Sequence, residues 1–301
     1  MEKLPVEKLS VEVLEKVFEF LPRKERKSGV LVNSLWRKAG EAPHLWTWVR
    51  LPAVRDQNSC ARVIEMMSSK RLARVEEIEI QPDTVSEDLL RALVQHRGLK
   101  LIKICSGDLP EGLDSQLVVE VLTRMKSLDL RLFHTHLLIA LFTEVSQGRS
   151  SLKELTLSNN NLGELPAPLV ASALTRLVDV DLAYAGLSTD HVAALMEQID
   201  QGNSSIEKLS LLDSLPSSDE RTGLLNLKPL VKVEEVNLGR NFLDQQELVN
   251  FFAAFSPSTK LRKLRIDIED WPEVEVTAKA FNFLEVLSLR AYPYQVSRTL
   301  N

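Results

Sequence analysis

Few residues of this 301-residue chain have the types and spacing that catalysis or metal binding requires. The histidines and cysteines are His44, His96, His134, His136, His191, Cys60 and Cys105. Their spacings match no zinc-binding pattern, and His134 and His136 have no further ligand beside them in the sequence. Asp190 and His191 could form an acid–base pair, but an acidic residue at a helix start is an ordinary structural feature. Because GxxxxGK[ST] and GxSxG motifs are also missing from the sequence, we predict a non-catalytic protein with no metal and no cofactor.

Charge and composition narrow the class of partner. The chain carries 42 acidic and 37 basic side chains, a net charge of −5, which gives no general attraction to nucleic acid. No apolar run approaches the roughly 20 residues that span a bilayer, and the first residues do not resemble a secretory signal. The two widely separated cysteines favour a reducing compartment. We therefore expect no nucleic-acid or membrane partner and a cytoplasmic or nuclear location.

The most regular feature of the chain is an apolar signature that recurs ten times. A large apolar residue is followed by a second three positions later and by a third two positions beyond that. The first places are Trp46, Val75, Leu99, Met125, Leu152, Leu177, Ile206, Val233, Leu261 and Leu284. The starts lie 23 to 29 residues apart, a period typical of leucine-rich repeats. Such repeats stack into an extended surface that binds other proteins.

Each repeat reads as a short strand, a turn and, in most cases, an amphipathic helix. Ser86 is a good N-cap for a helix whose apolar residues share one face. Asn160 and Asn241 follow Leu157 and Leu238 by three residues, where the repeat places an asparagine that bonds the turn backbone. The predicted fold class is an α/β leucine-rich-repeat solenoid, with parallel strands inside and helices outside, preceded by a small all-α head.

Strand alternation predicts which side chains line the concave face of such an array. The charged ones are Glu77, Glu79, Lys103, Asp129, Arg131, Glu154, Asp179, Asp181, Lys208, Glu235, Lys263, Arg265 and Arg290. Their sign drifts from acidic in the middle to basic near the C-terminal end, so a protein substrate with a basic middle and an acidic end would complement them. A solvated sheet face that is polar without binding anything is the alternative.

Residues 1–50 differ from the rest, with ten Lys/Arg against seven Asp/Glu and three predicted helices. A first helix follows Ser10 and ends before Pro22, a second runs from about Lys24 to Val32, and a third from about Ser34 to Ala39. So few residues have little interior to fill, yet the segment is rich in large apolar side chains. Part of this apolar surface is therefore expected to need a partner.

Residues 9–46, LSVEVLEKVFEFLPRKERKSGVLVNSLWRKAGEAPHLW, resemble an F-box. The matching positions are Leu9, Glu12, Val13, Leu14, Val17, Phe18, Leu21, Pro22, Glu25, Leu31, Val32, Trp36, Leu45 and Trp46. Ser10, Arg26 and Asn33 depart from the common Pro, Leu and Cys. An F-box (1–50) followed directly by leucine-rich repeats (51–301) is similar to the layout of the F-box/leucine-rich-repeat family.

This resemblance implies the substrate-recognition subunit of a Skp–cullin–F-box ubiquitin ligase. The F-box would dock on a Skp-type adaptor and through it on cullin and RING subunits, while the repeats hold a substrate for ubiquitination and proteasomal degradation. The adaptor-binding residues would be Leu9, Val13, Leu14, Val17, Phe18, Leu21, Pro22, Val32, Trp36, Leu45 and Trp46. For Trp36 and Trp46, filling the joint between head and repeats is an equal alternative. A repeat scaffold or inhibitor without a ubiquitin step is the competing function.

Overall fold

The computed structural model describes residues 10–21, 25–26, 34–51, 65, 74–81, 84–96, 98–104, 110, 112–217, 219, 223–268, 280 and 282–291. Of the sequence features above, Leu9, Pro22, Val32, both cysteines and most of the second predicted helix lie outside the described residues.

The described part of the chain is an α/β fold built on one ten-stranded sheet. The strands are β1 (Trp48–Arg50), β2 (Glu77–Ile80), β3 (Leu101–Ile104), β4 (Ser127–Leu130), β5 (Glu154–Thr156), β6 (Asp179–Asp181), β7 (Lys208–Ser210), β8 (Glu235–Leu238), β9 (Lys263–Ile268) and β10 (Val286–Ala291). They are all parallel and lie side by side in chain order. Each connection therefore leads to the neighbouring strand, which is a solenoid-like arrangement.

The sheet register follows the apolar signature. The fourth-place residues pair across all ten strands, in the order Val49, Ile78, Ile102, Leu128, Leu155, Val180, Leu209, Val236, Leu264 and Leu287. The first nine of them are buried, as are the sixth-place residues from Leu51 to Ile266. Since the strand period is two, the residues between them face the opposite side of the sheet.

Helices cover the side of the sheet that these apolar residues face. The helices that the structure describes are, in chain order, α1 (Val11–Phe20), α2 (Ser34–Gly40), α3 (Glu87–Gln95), α4 (Ser115–Thr123), α5 (Thr135–Ser146), α6 (Ala167–Leu174), α7 (Thr189–Asp200) and α8 (Gln245–Ala253). Of these, α1 and α2 belong to the N-terminal head. Short 3₁₀ helices occupy Pro43–Leu45, Leu162–Glu164 and Lys228–Lys232. From α3 to α7 each helix packs on the next, and their apolar faces join the strand residues in one continuous core.

Local sequence signals account for where several helices begin. Ser10 Oγ accepts a hydrogen bond from Val13 N at 3.4 Å, and Ser86 Oγ accepts one from Leu89 N at 3.2 Å. Each bond satisfies a donor that the first helical turn leaves without a partner. These two predicted N-caps are confirmed.

The turns after the strands are held by buried asparagines, as predicted. Asn160 Nδ2 donates to Leu130 O and Leu157 O, both at 2.9 Å, and its Oδ1 accepts from Phe133 N at 2.6 Å. Asn241 bonds Leu211 O and Ser214 N in the same way. Since each amide belongs to one unit and bonds the backbone of the preceding one, it joins two neighbouring units.

The head, residues 10–46 as far as they are described, has a small core of its own. Leu14, Phe18 and Leu45 are buried in it, and the rings of Phe18 and Trp36 meet edge to face with centroids 5.6 Å apart. Trp46 packs against both this core and that of the sheet, and its Nε1 donates to Gly40 O at 2.7 Å. The joint-filling alternative for Trp46 is thus the one the packing supports. β1 already pairs with β2, so the sheet begins before residue 51.

Candidate protein-binding surfaces

Two surfaces of the described chain could hold a partner. The first is the open sheet face, which we define by the predicted residues Glu77, Glu79, Lys103, Asp129, Arg131, Glu154, Asp179, Asp181, Lys208, Glu235, Lys263, Arg265 and Arg290. Each is half-buried or exposed, because strand alternation turns it away from the core. The structure thus brings the whole set to one side of the sheet.

Ion pairs between neighbouring strands neutralise much of the charge on the open sheet face. Lys103 Nζ lies 2.8 Å from Glu77 Oε1, and Arg50 Nε lies 3.2 Å from Glu79 Oε1. Near the other end, Lys263 Nζ lies 3.2 Å from Glu235 Oε2. The predicted change from acidic to basic charge along the face is consequently weaker than the residue types suggest. The sequence of one strand does not show which side chains of the neighbouring strands pair with its own.

Asp179 lies in the middle of this face, with Lys208 Nζ at 3.6 Å from its Oδ2. Partial burial raises the pKa of the Asp179 carboxyl, and the Lys208 ammonium opposes that rise without cancelling it. The nearby carboxylates of Glu154 and Glu235 raise the pKa further. The middle of the face is therefore a region in which negative charges repel one another.

A row of residues in the left-handed backbone region borders the open sheet face at the carboxyl ends of the strands. We call Leu132, Asn159, Tyr184, Asp213 and Arg240 the turn row; their φ angles lie between +51° and +61°. Each follows the buried sixth-place residue of its unit by two positions, and each is exposed. Non-glycine residues rarely adopt this region, and such positions often occur at binding sites. Sequence reasoning missed this row, whose only signal is its constant offset from the apolar signature.

The second surface lies on α1 of the head. Val13 is 45% exposed and Phe20 is 87% exposed, with half-buried Val17 on the same side. These three residues, the α1 stripe, have the i, i+4, i+7 spacing of one helical face. Apolar side chains that are exposed together on one face form the kind of patch that marks protein-binding sites.

The structure changes the prediction for two adaptor-binding residues of α1. Leu14 and Phe18 are fully buried in the head core, so in this conformation they offer no surface to a partner. Leu45 is buried as well, while Leu21, Trp36 and Trp46 are half-buried against the same core. Of the predicted set, Val13 and Val17 are the described α1 residues that face outward.

Arg26, one of the departures from the F-box pattern, holds the end of α1. Its guanidinium donates to Glu19 O, Leu21 O and Leu45 O, each at 3.0 Å. The last carbonyls of a helix lack partners within the helix, and a cation there interacts favourably with the helix dipole. The side chain that departs from the pattern therefore has a structural role in the head.

The histidines do not form a metal site within the part of the chain that the structure describes. No three His, Cys, Asp or Glu side chains gather there in a metal-binding arrangement, and the rings of His134 and His136 contact each other with centroids 5.6 Å apart. His191 is buried, its Nδ1 lies 2.6 Å from Ser188 Oγ, and burial lowers its pKa. Its surroundings are those of a core residue.

No model of a known protein family matches this chain, and no curated protein matches it. Among the described residues, every helix is too short or too polar to cross a membrane.

Proposed function

We propose that this protein is the substrate-recognition subunit of a Skp–cullin–F-box ubiquitin ligase. The head would be the F-box that docks on a Skp-type adaptor, and the solenoid-like array would be leucine-rich repeats that hold a protein substrate. In this role the chain performs no chemistry itself. It raises the local concentration of substrate lysines beside a conjugating enzyme that other subunits supply.

The observation that carries the proposal is the α1 stripe beside a self-contained head core. Leu14 and Phe18 pack α1 into the head core. Val13, Val17 and Phe20 form a second apolar face of the same helix, which is exposed or half-buried. A helix that is apolar on two sides suits a position between its own domain and a partner. Burying Phe20 fully in an adaptor groove would contribute about 1.5–3 kcal/mol.

The open sheet face supports the substrate-holding half of the proposal. Its strands present a polar surface ten strands wide, built from units that stack in chain order. Repeat arrays use such extended surfaces to bind proteins.

The test is capture of a Skp-type adaptor by the full-length chain. Substituting Val13→Ser together with Phe20→Ser should weaken capture by about tenfold or more, because the α1 stripe is lost while the head core stays intact. The matched control is Ile139→Ser, which removes an apolar side chain that is 38% exposed on α5. The buried pair Leu14 and Phe18 is unsuitable for this test, since its loss would unfold the head.

Circular dichroism and thermal unfolding should show that both variants remain folded. A folded wild-type chain that never captures the adaptor would contradict the proposal. Capture that survives Val13→Ser with Phe20→Ser would contradict the assigned surface.

A scaffold or inhibitor without a ubiquitin step is the second candidate. The full burial of Leu14 and Phe18, together with the packing of Trp46 on both cores, favours it, because a head of this kind could simply cap the first repeat. In that case the chain would bind a protein target through the open sheet face and show no affinity for the adaptor.

A further inference from the structure

We infer that the carboxyl-end edge of β6 to β9 binds an acidic segment of the substrate, with paired carboxylates that contact Arg240 and Arg265. The inference rests on the proposed function, since it names the chemistry of what the open sheet face would hold. It predicts glutamate or aspartate side chains two residues apart in an extended peptide.

Arg265 is the positive charge that the fold leaves uncompensated on this part of the face. Its side chain is exposed, and among the residues that the structure describes it has no hydrogen bond and no ion pair. The carboxylates of the neighbouring sheet positions already have bonding partners. Glu235 pairs with Lys263, and Asp267 Oδ2 accepts from Arg240 N at 2.9 Å. A ligand carboxylate would meet no competing internal partner at Arg265.

Gly239 lies beside the Arg265 side chain. A Cβ at this position would come within 3.0 Å of Leu212 Cδ1 and 3.7 Å of Arg265 Nε. Arg265 therefore extends from β9 to the backbone that leads into Arg240. The two arginines thus belong to one surface although they come from different units.

Arg240 extends that surface across the turn row. Its Nη1 donates to Tyr184 Oη at 2.7 Å, a bond between residues two units apart. The Tyr184 hydroxyl can still donate its own hydrogen, and Tyr184 is 40% exposed. The edge therefore presents N–H and O–H donors, which match a ligand that carries acceptors.

The spacing of these groups fits an extended peptide better than a single anion. Neighbouring strands lie about 4.8 Å apart, so the row from Tyr184, in the turn after β6, to Arg265 on β9 spans several residues of a bound chain. Side chains at positions i and i+2 of an extended peptide point the same way and lie about 7 Å apart. Arginine guanidinium groups bind such carboxylates through paired N–H donors.

The charges around the site exclude a long polyanion such as nucleic acid. Asp213 lies in the turn row between Tyr184 and Arg240, and Glu154, Asp179 and Asp181 occupy the adjacent strands. A nucleic-acid strand, which is negatively charged along its whole length, would be repelled by these carboxylates. A polypeptide can place its acidic residues at Arg240 and Arg265 and carry neutral or basic residues beyond them.

The experiment measures binding of a labelled peptide to the full-length chain by fluorescence anisotropy. The probe GSAGEAEAGSAG is compared with versions that have Gln, Lys or phosphoserine in place of both Glu residues. We expect the Glu peptide to bind at least tenfold more tightly than the Gln peptide, with a difference that shrinks as salt is added. Arg265→Glu should abolish that preference and transfer it to the Lys peptide.

Two further variants separate the site from general electrostatics. Asp213→Asn removes the opposing carboxylate and should strengthen binding of the Glu peptide several-fold. Arg91→Glu reverses a charge on the outer side of α3 and should leave binding unchanged, although it alters the net charge as much as Arg265→Glu does.

Equal binding of the Glu and Gln peptides, or an Arg265→Glu variant that behaves as the wild type, would overturn the inference. So would a preference confined to the phosphoserine peptide, or competition by a 12-nucleotide single strand as strong as that of the Glu peptide. The adaptor plays no part in this measurement. Normal adaptor capture without Glu-peptide binding would therefore remove this inference and leave the proposed function standing.

Discussion

At the scale of single residues, the turns depend on buried amides that serve two units at once. Asn160 and Asn241 each accept from and donate to the backbone of the preceding unit, and Asn160 also donates to Leu157 O in its own turn. Where the chain has Ser214 instead, its hydroxyl takes over part of this role by accepting from Ala185 N at 3.1 Å, and its one hydrogen is shared between Leu182 O and Leu212 O. A smaller side chain thus preserves the connection between units with fewer bonds.

Asn160→Ala should lower the free energy of unfolding by about 2–3 kcal/mol, because Phe133 N and two carbonyls lose their partner inside the core. Urea unfolding followed by circular dichroism measures the change. Asn161→Ala is the control: Asn161 is exposed and bonds only the Glu164 side chain, so the expected change is within about 0.5 kcal/mol. Equal losses in the two variants would mean that the buried amide has no special role.

His191 should make the stability depend on pH. Burial lowers its folded pKa, whereas the unfolded side chain titrates near its usual value of about 6.5. Between these two pKa values the unfolded chain binds a proton that the native chain does not. The stabilisation is therefore fully present above pH ~6.5 and is lost as the pH falls toward the folded pKa.

The measurement is the urea midpoint between pH 7.5 and pH 5, for the wild type and for His191→Asn, whose amide can still reach Ser188. The variant should lose less stability on acidification than the wild type. His136→Asn, at an exposed site, should follow the wild-type curve. Parallel curves for wild type and His191→Asn would show that another group controls the acid response.

Residue-level prediction from sequence worked where the role followed from spacing and failed where it depended on neighbours. Asn160 could be identified because its offset from Leu157 fixes its place in the turn. The partner of Lys263 could not, since a pair with Glu235 requires the register of two strands. The left-handed φ of Tyr184 and Arg240 was equally hidden, because neither residue type favours that conformation.

At the scale of elements, α1 shows why an apolar pattern does not by itself reveal an interface. Its apolar residues cover about half of the helix circumference, from Phe20 through Val17 and Phe18 to Val11, and the charged residues share the remainder. The sequence indicates that one helix has more apolar surface than a small head can bury. Which half turns inward depends on α2 and the 43–45 segment that pack on it.

Arg26 should stabilise the head through the end of α1. Arg26→Leu, which introduces the residue that is common at this position of the F-box pattern, removes three hydrogen bonds to carbonyl groups and should lower the thermal stability of the head. Arg26→Lys keeps the charge near the helix end but lacks the fork of donors, so we expect an intermediate effect. Exchange of the amide hydrogens of α1 measures the change locally.

Arg37→Leu serves as the control, since it removes a basic side chain from the last turn of α2. If Arg26→Leu left α1 protection unchanged or increased it, the hydrogen bonds would contribute no net stability and the residue would be exchangeable within this pattern.

At the scale of the whole molecule, one ladder of apolar residues runs along the array, and each unit packs mainly on its two neighbours. Every fourth-place residue from Val49 to Leu287 pairs with the next, so each inner unit is stabilised by two neighbours and each end unit by one. The sequence predicts this ladder in full because the signature repeats without a miss. It does not predict how the ends are covered: Trp46 links the head core to the first strands, whereas Leu287 and Leu289 at the other end are only half-buried.

This asymmetry predicts that stability falls toward β10. Leu182 and Leu289 occupy the same sixth place of the signature, yet Leu182 is fully buried and Leu289 is half-buried. Leu182→Ala should therefore lower the free energy of unfolding by about 3 kcal/mol or more, and Leu289→Ala by about 1 kcal/mol, since the cost follows the packing that is lost. Hydrogen exchange of the wild type should show the same order, with amides of β6 and β7 exchanging last and those of β10 exchanging early. Equal losses of unfolding free energy for the two substitutions, with all ten strands exchanging together, would mean that the array unfolds as one cooperative unit. The difference in burial between its two ends would then have no effect on stability.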